Sequence, residues 1–132
     1  MPQQKFLGMD YGDKNIGLSL GTLGSIAVPY KIIANISQES VITELESIIK
    51  QENIDGLVIG LPTSLSGRQN ERGDITKNFI EYCRQHISVP IHIVDESFTS
   101  QLYTKQGVTK DIDKYAATAI LETFLAKNEP KL

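Results

Sequence analysis

The chain has 132 residues, of which 40% are hydrophobic and 22% charged, and this predicts one domain over residues 1–132 with a buried core. Its single cysteine, Cys83, excludes an internal disulfide and predicts a reducing compartment. No apolar stretch approaches the ~20 residues of a membrane span, and the start lacks a signal-peptide pattern, so we expect a cytoplasmic protein. The formal net charge of −3 argues against bulk electrostatic attraction to nucleic acid.

Three short apolar runs at the start of the chain predict three strands joined by hairpins. Residues 5–11 and 15–20 are separated by residues 12–14 (Gly-Asp-Lys), and glycine with aspartate is typical of a tight turn. The third run, residues 25–33, contains Pro29, which indicates an edge strand because proline cannot donate a ladder hydrogen bond.

The rest of the chain alternates helical spacing with continuous apolar runs. These patterns predict helices over about 38–52, 71–87 and 112–127, strands over 56–61 and 91–96, and a short helix around Phe98, Leu102 and Tyr103 that Gly107 would stop. Three strands joined by hairpins, followed by alternating helices and strands, describe a five-stranded mixed sheet flanked by helices, an α/β fold.

Cys83 is interpreted as a core thiol rather than a nucleophile, because it falls in phase with apolar residues of its helix and no histidine is placed convincingly beside it. The apolar residues in phase with it are Ile75, Phe79, Ile80 and Ile87. His92 lies within an apolar strand and is read as a core residue, whereas His86 is read as a solvated helix end.

Acidic residues stand where segments that face the core begin or end. They are Asp10 at the end of the first strand, Asp95 and Glu96 at the end of the fifth, and Asp113 at the start of the last helix. Carboxylates in such places are costly unless they share a positive charge, so they predict a common cation and metal-assisted chemistry on an anionic substrate. Strand alternation sends Asp95 and Glu96 to opposite sides, so only one of them faces the site directly.

Two of these carboxylates also have structural interpretations. Asp10 could form an Asx turn before Gly12, and Asp113 could cap its helix, a role that Asp111 would fill equally well. The spacing from Asp10 through Gly12 to Gly17 favours function, because glycines let a backbone turn sharply and let neighbours approach. Asp113 lies on the same stripe as the small alanines of its helix, which also favours function.

Positive side chains border the acidic points and predict a rim that binds a nucleic-acid backbone. These cations are Lys14, Arg68, Arg72, Lys105, Lys110 and Lys114. Gly12 lets the backbone approach a phosphate, and Thr99 can bond either a carboxylate or a phosphate. Alternatively, the cations are ordinary surface charges and Thr99 only caps a helix.

Four ordered motifs resemble the YqgF/RuvX family of ribonuclease H-like proteins. They are Asp10-Tyr-Gly12-x(4)-Gly17, Gly60-Leu-Pro62-x(4)-Gly67, Asp95-Glu96-Ser-Phe-Thr99 and Asp113-Lys-Tyr-Ala116-Ala117-x-x-Ile120-Leu121. The family is described as Holliday-junction resolvases and as nucleases for the precursor of 16S ribosomal RNA. The resemblance covers nearly the whole chain and implies a ribonuclease H-like sheet, with three antiparallel strands followed by parallel ones.

The resemblance implies a metal-dependent hydrolase that cuts phosphodiester bonds, in 5′-end processing of pre-16S ribosomal RNA during ribosome biogenesis or, alternatively, in branched DNA. It implies that Asp10, Glu96 and Asp113 hold one or two Mg²⁺ or Mn²⁺ ions, since hard oxygen ligands suit those ions. Asp10 would bridge, and Asp95 would support or replace Glu96. The expected partner is structured RNA or branched DNA, with no membrane, and the protein is expected to be a monomer or weak homodimer.

Two positions depart from the family pattern. Ser97 stands where the family usually has an arginine, and Asn15 where it often has one, so two potential phosphate contacts are missing.

Two other classes of protein also fit part of the sequence. The Asp-x-Gly start resembles actin-like ATPases and sugar kinases, which need a second such domain, and a vestigial acidic site would leave a nucleic-acid-binding factor in transcription or ribosome assembly.

Overall fold

The computed structural model describes residues 4–61, 71–95 and 112–128, with the side chains of residues 71, 72 and 112–114 excepted. Its elements in chain order are β1 (Lys5–Tyr11), β2 (Asn15–Thr22), β3 (Val28–Ala34), α1 (Gln38–Glu52), β4 (Gly56–Leu61), α2 (Glu71–His86), β5 (Ile91–Asp95) and α3 (Ile112–Lys127). The predicted short helix around Phe98 lies outside the described residues. None of the described helices is long and apolar enough to cross a membrane.

The strands form a five-stranded sheet in the order β3-β2-β1-β4-β5, which confirms the predicted mixed sheet. β1 pairs antiparallel with β2, and β2 pairs antiparallel with β3. β4 lies parallel to β1 on one side and to β5 on the other. The central strand β1 and the two strands parallel to it, β4 and β5, therefore have their carboxyl ends at the same edge of the sheet.

The sheet separates two apolar clusters. On one face, the strand residues Leu7, Met9, Leu57 and Ile59 pack with residues of α1 and α2. On the other face, Phe6, Val58 and Val94 pack with Ile120, Leu121, Phe124 and Leu125 of α3. The residues that recur at helical spacing in α3 are all buried, namely Ala116, Ala117, Ile120, Leu121, Phe124 and Leu125.

The limits of α1 agree with the prediction because both ends carry capping residues. The Ser37 side chain accepts a hydrogen bond from the Ser40 backbone N–H, and the Ser40 side chain accepts one from the Ser37 N–H. Asn53 ends the helix in the left-handed conformation, with φ 56°.

The predicted limits of β2 and β3 were less accurate. β2 continues to Thr22, and β3 begins at Val28 rather than at residue 25. The reason is a tight turn in which the Ser25 N–H bonds the Thr22 carbonyl at 3.0 Å, so pairing starts only where Val28 meets Leu20. Pro29 lies in an edge strand, as predicted.

Cys83 is fully buried in α2, which confirms its assignment to the core. The inclusion of Ile75 in the same stripe was wrong, because its side chain is 40% exposed while that of Thr76 is 2% exposed. Thr76 lies three and four residues before Phe79 and Ile80, so helical phase outweighs the apolar character of Ile75.

The two histidines lie where the sequence indicated. His92 is half-buried, with its ring centroid 5.9 Å from that of Phe6 and 4.7 Å from that of Phe124. His86 is exposed at the end of α2 and packs on Tyr82. His86 is thus a solvated helix end, as predicted, whereas His92 lies beside the core cluster and is only partly buried.

Candidate active site

Asp10 lies at the carboxyl end of the central strand, on the face that α3 covers. Side chains alternate along β1, and Phe6 belongs to the cluster under α3 whereas Leu7 and Met9 belong to the opposite cluster. Tyr11 follows the same rule, because its ring stacks on Phe79 of α2 at 4.0 Å. The half-buried Asp10 carboxylate thus stands at the edge where the parallel strands end.

The strands beside Asp10 contribute no side chains at its level. In β2 its partner is Gly17, which pairs with it directly. In β4 the residue at its level is Gly60, because Ile59 pairs with Met9 one position earlier. On the α3 face, the residues that flank Asp10 in both neighbouring strands are therefore glycines.

Helix α3 approaches the sheet closely just before this row. The Ser19 hydroxyl in β2 donates a hydrogen bond to the Ala117 carbonyl oxygen at 2.8 Å. Gly8 in β1 pairs with Ser19, and a Cβ added to Gly8 would lie 2.8 Å from Leu121 Cβ and 2.9 Å from the Ala117 oxygen. Only a residue without a side chain fits there.

The direction of α3 relates Asp10 to the start of that helix. Phe6 contacts Phe124, and Gly8 two residues later is nearest to Ala117 and Leu121, so α3 runs antiparallel to β1. Two strand residues span ~6.7 Å and one helical turn spans ~5.4 Å, so each step of two along β1 corresponds to about one turn of α3. The next step from Gly8 reaches Asp10 on the strand and the first turn of the helix.

Asp113 is the second residue of α3, so its backbone belongs to that first turn. Its side chain lies outside the described part of the structure. Asp10 and the backbone that carries Asp113 therefore come to the same edge, although 103 positions of sequence separate residues 10 and 113.

Asp95 ends β5, where it pairs with Leu61, and its side chain is exposed. Val94 is buried in the cluster under α3, so alternation puts Asp95 on the opposite face from Asp10. Glu96 lies outside the described residues. Within the described part of the chain, no three His, Cys, Asp or Glu side chains form a group that could hold a metal ion.

The turn after Asp10 is held from the side by Asn35. Its side-chain amide donates to the Gly12 carbonyl at 2.8 Å, and its backbone N–H donates to the Lys14 carbonyl at 2.9 Å. A Cβ on Gly12 would overlap the Asn15 carbonyl oxygen, so the turn requires glycine there. Lys14 is exposed beside the candidate site.

The side chains of Thr99 and of the other predicted cations lie outside the described part of the structure. These cations are Arg68, Arg72, Lys105, Lys110 and Lys114.

Burial raises the pKa of the Cys83 thiol to about 12. This thiol lies on the α2 face, away from Asp10, and stays protonated at neutral pH, which fits its interpretation as a core residue.

Sequence reasoning missed three residues that shape this edge, namely Gly8, Ser19 and Asn35. Two of them carried a signal. Gly8 is a glycine inside an apolar strand, which indicates close approach of another backbone, and Ser19 is a hydroxyl residue between Leu18 and Leu20. Asn35 carried none, because its partner is a turn that precedes it by 23 positions.

The five-stranded sheet, with antiparallel strands on one side and parallel strands on the other, is the ribonuclease H-like fold. Thermus thermophilus RuvC has this fold with a TM-score of 0.56 and 12% identity, over 95% of this chain and 96% of that one. The fowlpox virus Holliday junction resolvase gives a TM-score of 0.56 at 11% identity, over 95% and 99% of the two chains. At such identities the likeness establishes the fold alone.

Sequence comparison resolves the family within this fold. The family model of RuvX, described as Holliday junction resolvase, matches residues 4–127. A protein of Maridesulfovibrio salexigens with the provisional name pre-16S rRNA nuclease is 34% identical, over 93% of this chain and 98% of that protein. A Rickettsia africae protein with the same provisional name is 35% identical, over 95% of this chain and 88% of its own length. The chain belongs to the RuvX family, which confirms the resemblance drawn from its motifs.

Proposed function

We propose that this protein is a metal-dependent nuclease that hydrolyses phosphodiester bonds at the 5′ end of pre-16S ribosomal RNA. The observation that carries the proposal is the place of Asp10, at the carboxyl end of the central strand, between two glycines and opposite the first turn of α3. The provisional name of its relatives supports the choice of RNA substrate.

The residues at this edge fit a hard divalent cation. A half-buried carboxylate that two glycines flank in the neighbouring strands can accept a metal ion, and oxygen donors suit Mg²⁺ and Mn²⁺. Asp10, Glu96 and Asp113 would hold it. Asp95 is assigned a supporting role because it lies on the opposite face of the sheet. When bound, such an ion lowers the pKa of water and offsets charge on the phosphodiester.

The protein's own contribution is to bind and orient the substrate backbone. Lys14 is exposed on the turn that follows Asp10, and Asn35 fixes the carbonyls of that turn. A lysine held there can contact a phosphate next to the bond that is cut, without reading the base. The other substrate-binding residues in the proposal are Gly12, Arg68, Arg72, Thr99 and Lys110.

A second candidate function is cleavage of branched DNA. The family is described as Holliday junction resolvase, and one structure with the same fold, T. thermophilus RuvC, has been determined in complex with a Holliday junction. The acidic edge would serve either substrate, because both present phosphodiesters to the same carboxylates.

We further propose a cytoplasmic protein with one domain over residues 1–132, acting as a monomer or weak homodimer.

The experiment that tests the proposal uses purified protein with Mg²⁺ or Mn²⁺ on two substrates, precursor 16S ribosomal RNA and a four-way DNA junction. We expect cleavage near the 5′ end of the RNA and none of the linear duplex used as a control. Cleavage of the junction alone would favour the second candidate. Binding of either substrate without cleavage under any metal would support a non-catalytic binding factor instead.

A further inference from the structure

We infer that Ser19, with Gly8 beside it, is a positioning residue that fixes the height of α3 above β1 and so the approach of Asp113 to Asp10. The inference rests on the proposed function, because it concerns the same acidic edge. It adds a residue from β2, a strand that supplies none of the proposed ligands.

The Ser19 hydroxyl makes a directional contact inside the protein. Its side chain is fully buried, and its oxygen donates to the Ala117 carbonyl at 2.8 Å across 98 positions of sequence. A helix carbonyl at this position already accepts the N–H four residues later, so the Ser19 bond is an addition. An apolar residue would bury at lower desolvation cost, so the hydroxyl contributes geometry more than net stability.

Gly8 permits the same short distance between α3 and β1, because it has no side chain. A methyl group there would overlap the Ser19 hydroxyl oxygen and lie 2.8 Å from Leu121 Cβ and 2.9 Å from the Ala117 oxygen. Contacts under 3.0 Å with a backbone atom and a Cβ require α3 to move. The hydroxyl therefore holds the helix toward the sheet, and the glycine permits the short distance.

This contact lies one step before the candidate active site. The Ala117 carbonyl lies in the same planar peptide as the N–H of residue 118, which in an α-helix bonds the carbonyl of residue 114, so fixing this peptide also fixes the turn that directly follows Asp113. Two residues along β1 separate Gly8 from Asp10. The apolar contacts of α3 are centred further along the helix, at Ile120, Leu121 and Phe124, where they bury area but act at a distance from Asp113.

The test compares Ser19→Ala with Ile48→Val, a buried control in α1 on the opposite face of the sheet. Two readouts are needed: kcat and KM for cleavage of the precursor RNA, and the rise in Tm on titration with Mn²⁺ without substrate. We expect Ser19→Ala to lower kcat about tenfold with KM unchanged, and to raise about tenfold the Mn²⁺ concentration that is needed for a given rise in Tm. Ile48→Val should change neither readout.

Ser19→Ala should fold, because the Ala117 carbonyl keeps its partner within the helix. Ser19→Cys supplies a second variant with a weaker donor, for which we expect intermediate losses. The inference is overturned if Ser19→Ala matches Ile48→Val in either readout while the parent both cleaves and responds to Mn²⁺. A parent protein that neither cleaves nor responds to Mn²⁺ would instead overturn the proposed function.

Discussion

Along the central strand, the two faces of the sheet carry different kinds of residue. On the α1 and α2 face, Leu7 and Met9 are fully buried, and Tyr11 stacks on Phe79. On the α3 face, the corresponding residues are Phe6, Gly8 and Asp10, so a large ring is followed by a residue without a side chain and then by a carboxylate. Among the residues that the structure describes, apolar packing along β1 extends to the carboxyl edge on the first face and stops before it on the second.

The difference assigns separate tasks to the two faces. Large, fully buried side chains on the α1 and α2 face remove much apolar surface from water, which is the main source of stability. The small residues on the α3 face instead let a helix lie close to the sheet, and glycines flank the Asp10 carboxylate in both neighbouring strands. The proposed chemistry therefore depends on residues that bury little area, and the two faces should respond differently to substitution.

The largest expected effect is that of Asp10→Asn on the α3 face. The substitution keeps the size of the side chain but removes the negative charge, so it should reduce the cleavage rate at least ~1000-fold, or about 4 kcal/mol of transition-state stabilisation. Circular dichroism should show an unchanged fold. The matched control is Asp13→Asn, an exposed position in the turn three residues later, which should retain activity. Equal cleavage by Asp10→Asn and the parent would refute the role of Asp10.

The next prediction concerns the opposite face. Leu45→Ala in α1 removes a fully buried side chain, so it should lower the free energy of unfolding by about 2–5 kcal/mol. Below the unfolding transition, the rate of cleavage per folded molecule should stay within twofold of the parent. Urea unfolding and a rate assay at low temperature measure the two quantities. A large drop in rate for the folded variant would mean that the faces are coupled and the comparison fails.

The sequence was sufficient to predict that each described helix and strand exists, because the residue patterns that specify them are local. The limits of α1, β4 and α3 follow from capping residues and periodicity that act within a few residues. It also indicated Asp10 and its edge, because strand ends and alternation follow from the order of elements. Ile75 was misassigned because hydrophobicity was given more weight than helical phase.

The contacts between distant segments could not be predicted. The Ser19 bond to Ala117 and the Asn35 bond to Gly12 each join segments whose meeting depends on the complete sheet. Periodicity shows that a residue faces inward, but not which backbone atom it will meet. Gly8 illustrates the limit, because a glycine inside an apolar strand indicates a close approach but does not show that Ala117 and Leu121 make it.

A smaller effect is expected at the rim beside the acidic edge. Lys14→Ala removes a charge from the turn after Asp10, so it should weaken nucleic-acid binding for all sequences alike. For each phosphate that the protein no longer neutralises, the slope of log K against log salt should flatten by ~0.9 for duplex DNA or ~0.7 for single strands. Fluorescence anisotropy in Ca²⁺ measures this without cleavage.

The matched control for that charge is Lys50→Ala, an exposed position in the last turn of α1. It removes the same charge from a helix on the opposite face of the sheet, so its salt dependence should equal that of the parent. If both variants flatten the slope equally, the binding surface is not confined to the acidic edge. Adding Arg68→Ala and Arg72→Ala to Lys14→Ala should flatten the slope further if they belong to the same rim.

The smallest expected effect is the pH dependence that Cys83 gives to the α1 and α2 face. Burial raises the pKa of its thiol from 9.0 to about 12, so the folded protein keeps a proton that the unfolded chain releases above pH 9.0. Stability is therefore fully present below pH 9.0 and falls as pH rises toward 12, by ~1.4 kcal/mol per unit for one proton. Urea unfolding of the parent and of Cys83→Val at pH 7, 8 and 10 isolates this contribution, because all other titrating groups are shared. The difference in unfolding free energy should be constant between pH 7 and 8, and at pH 10 it should shift in favour of Cys83→Val by about 1.4 kcal/mol. Parallel curves up to pH 10 would show that the thiol is solvated in the folded protein, which would contradict its assignment to the closed core of this face.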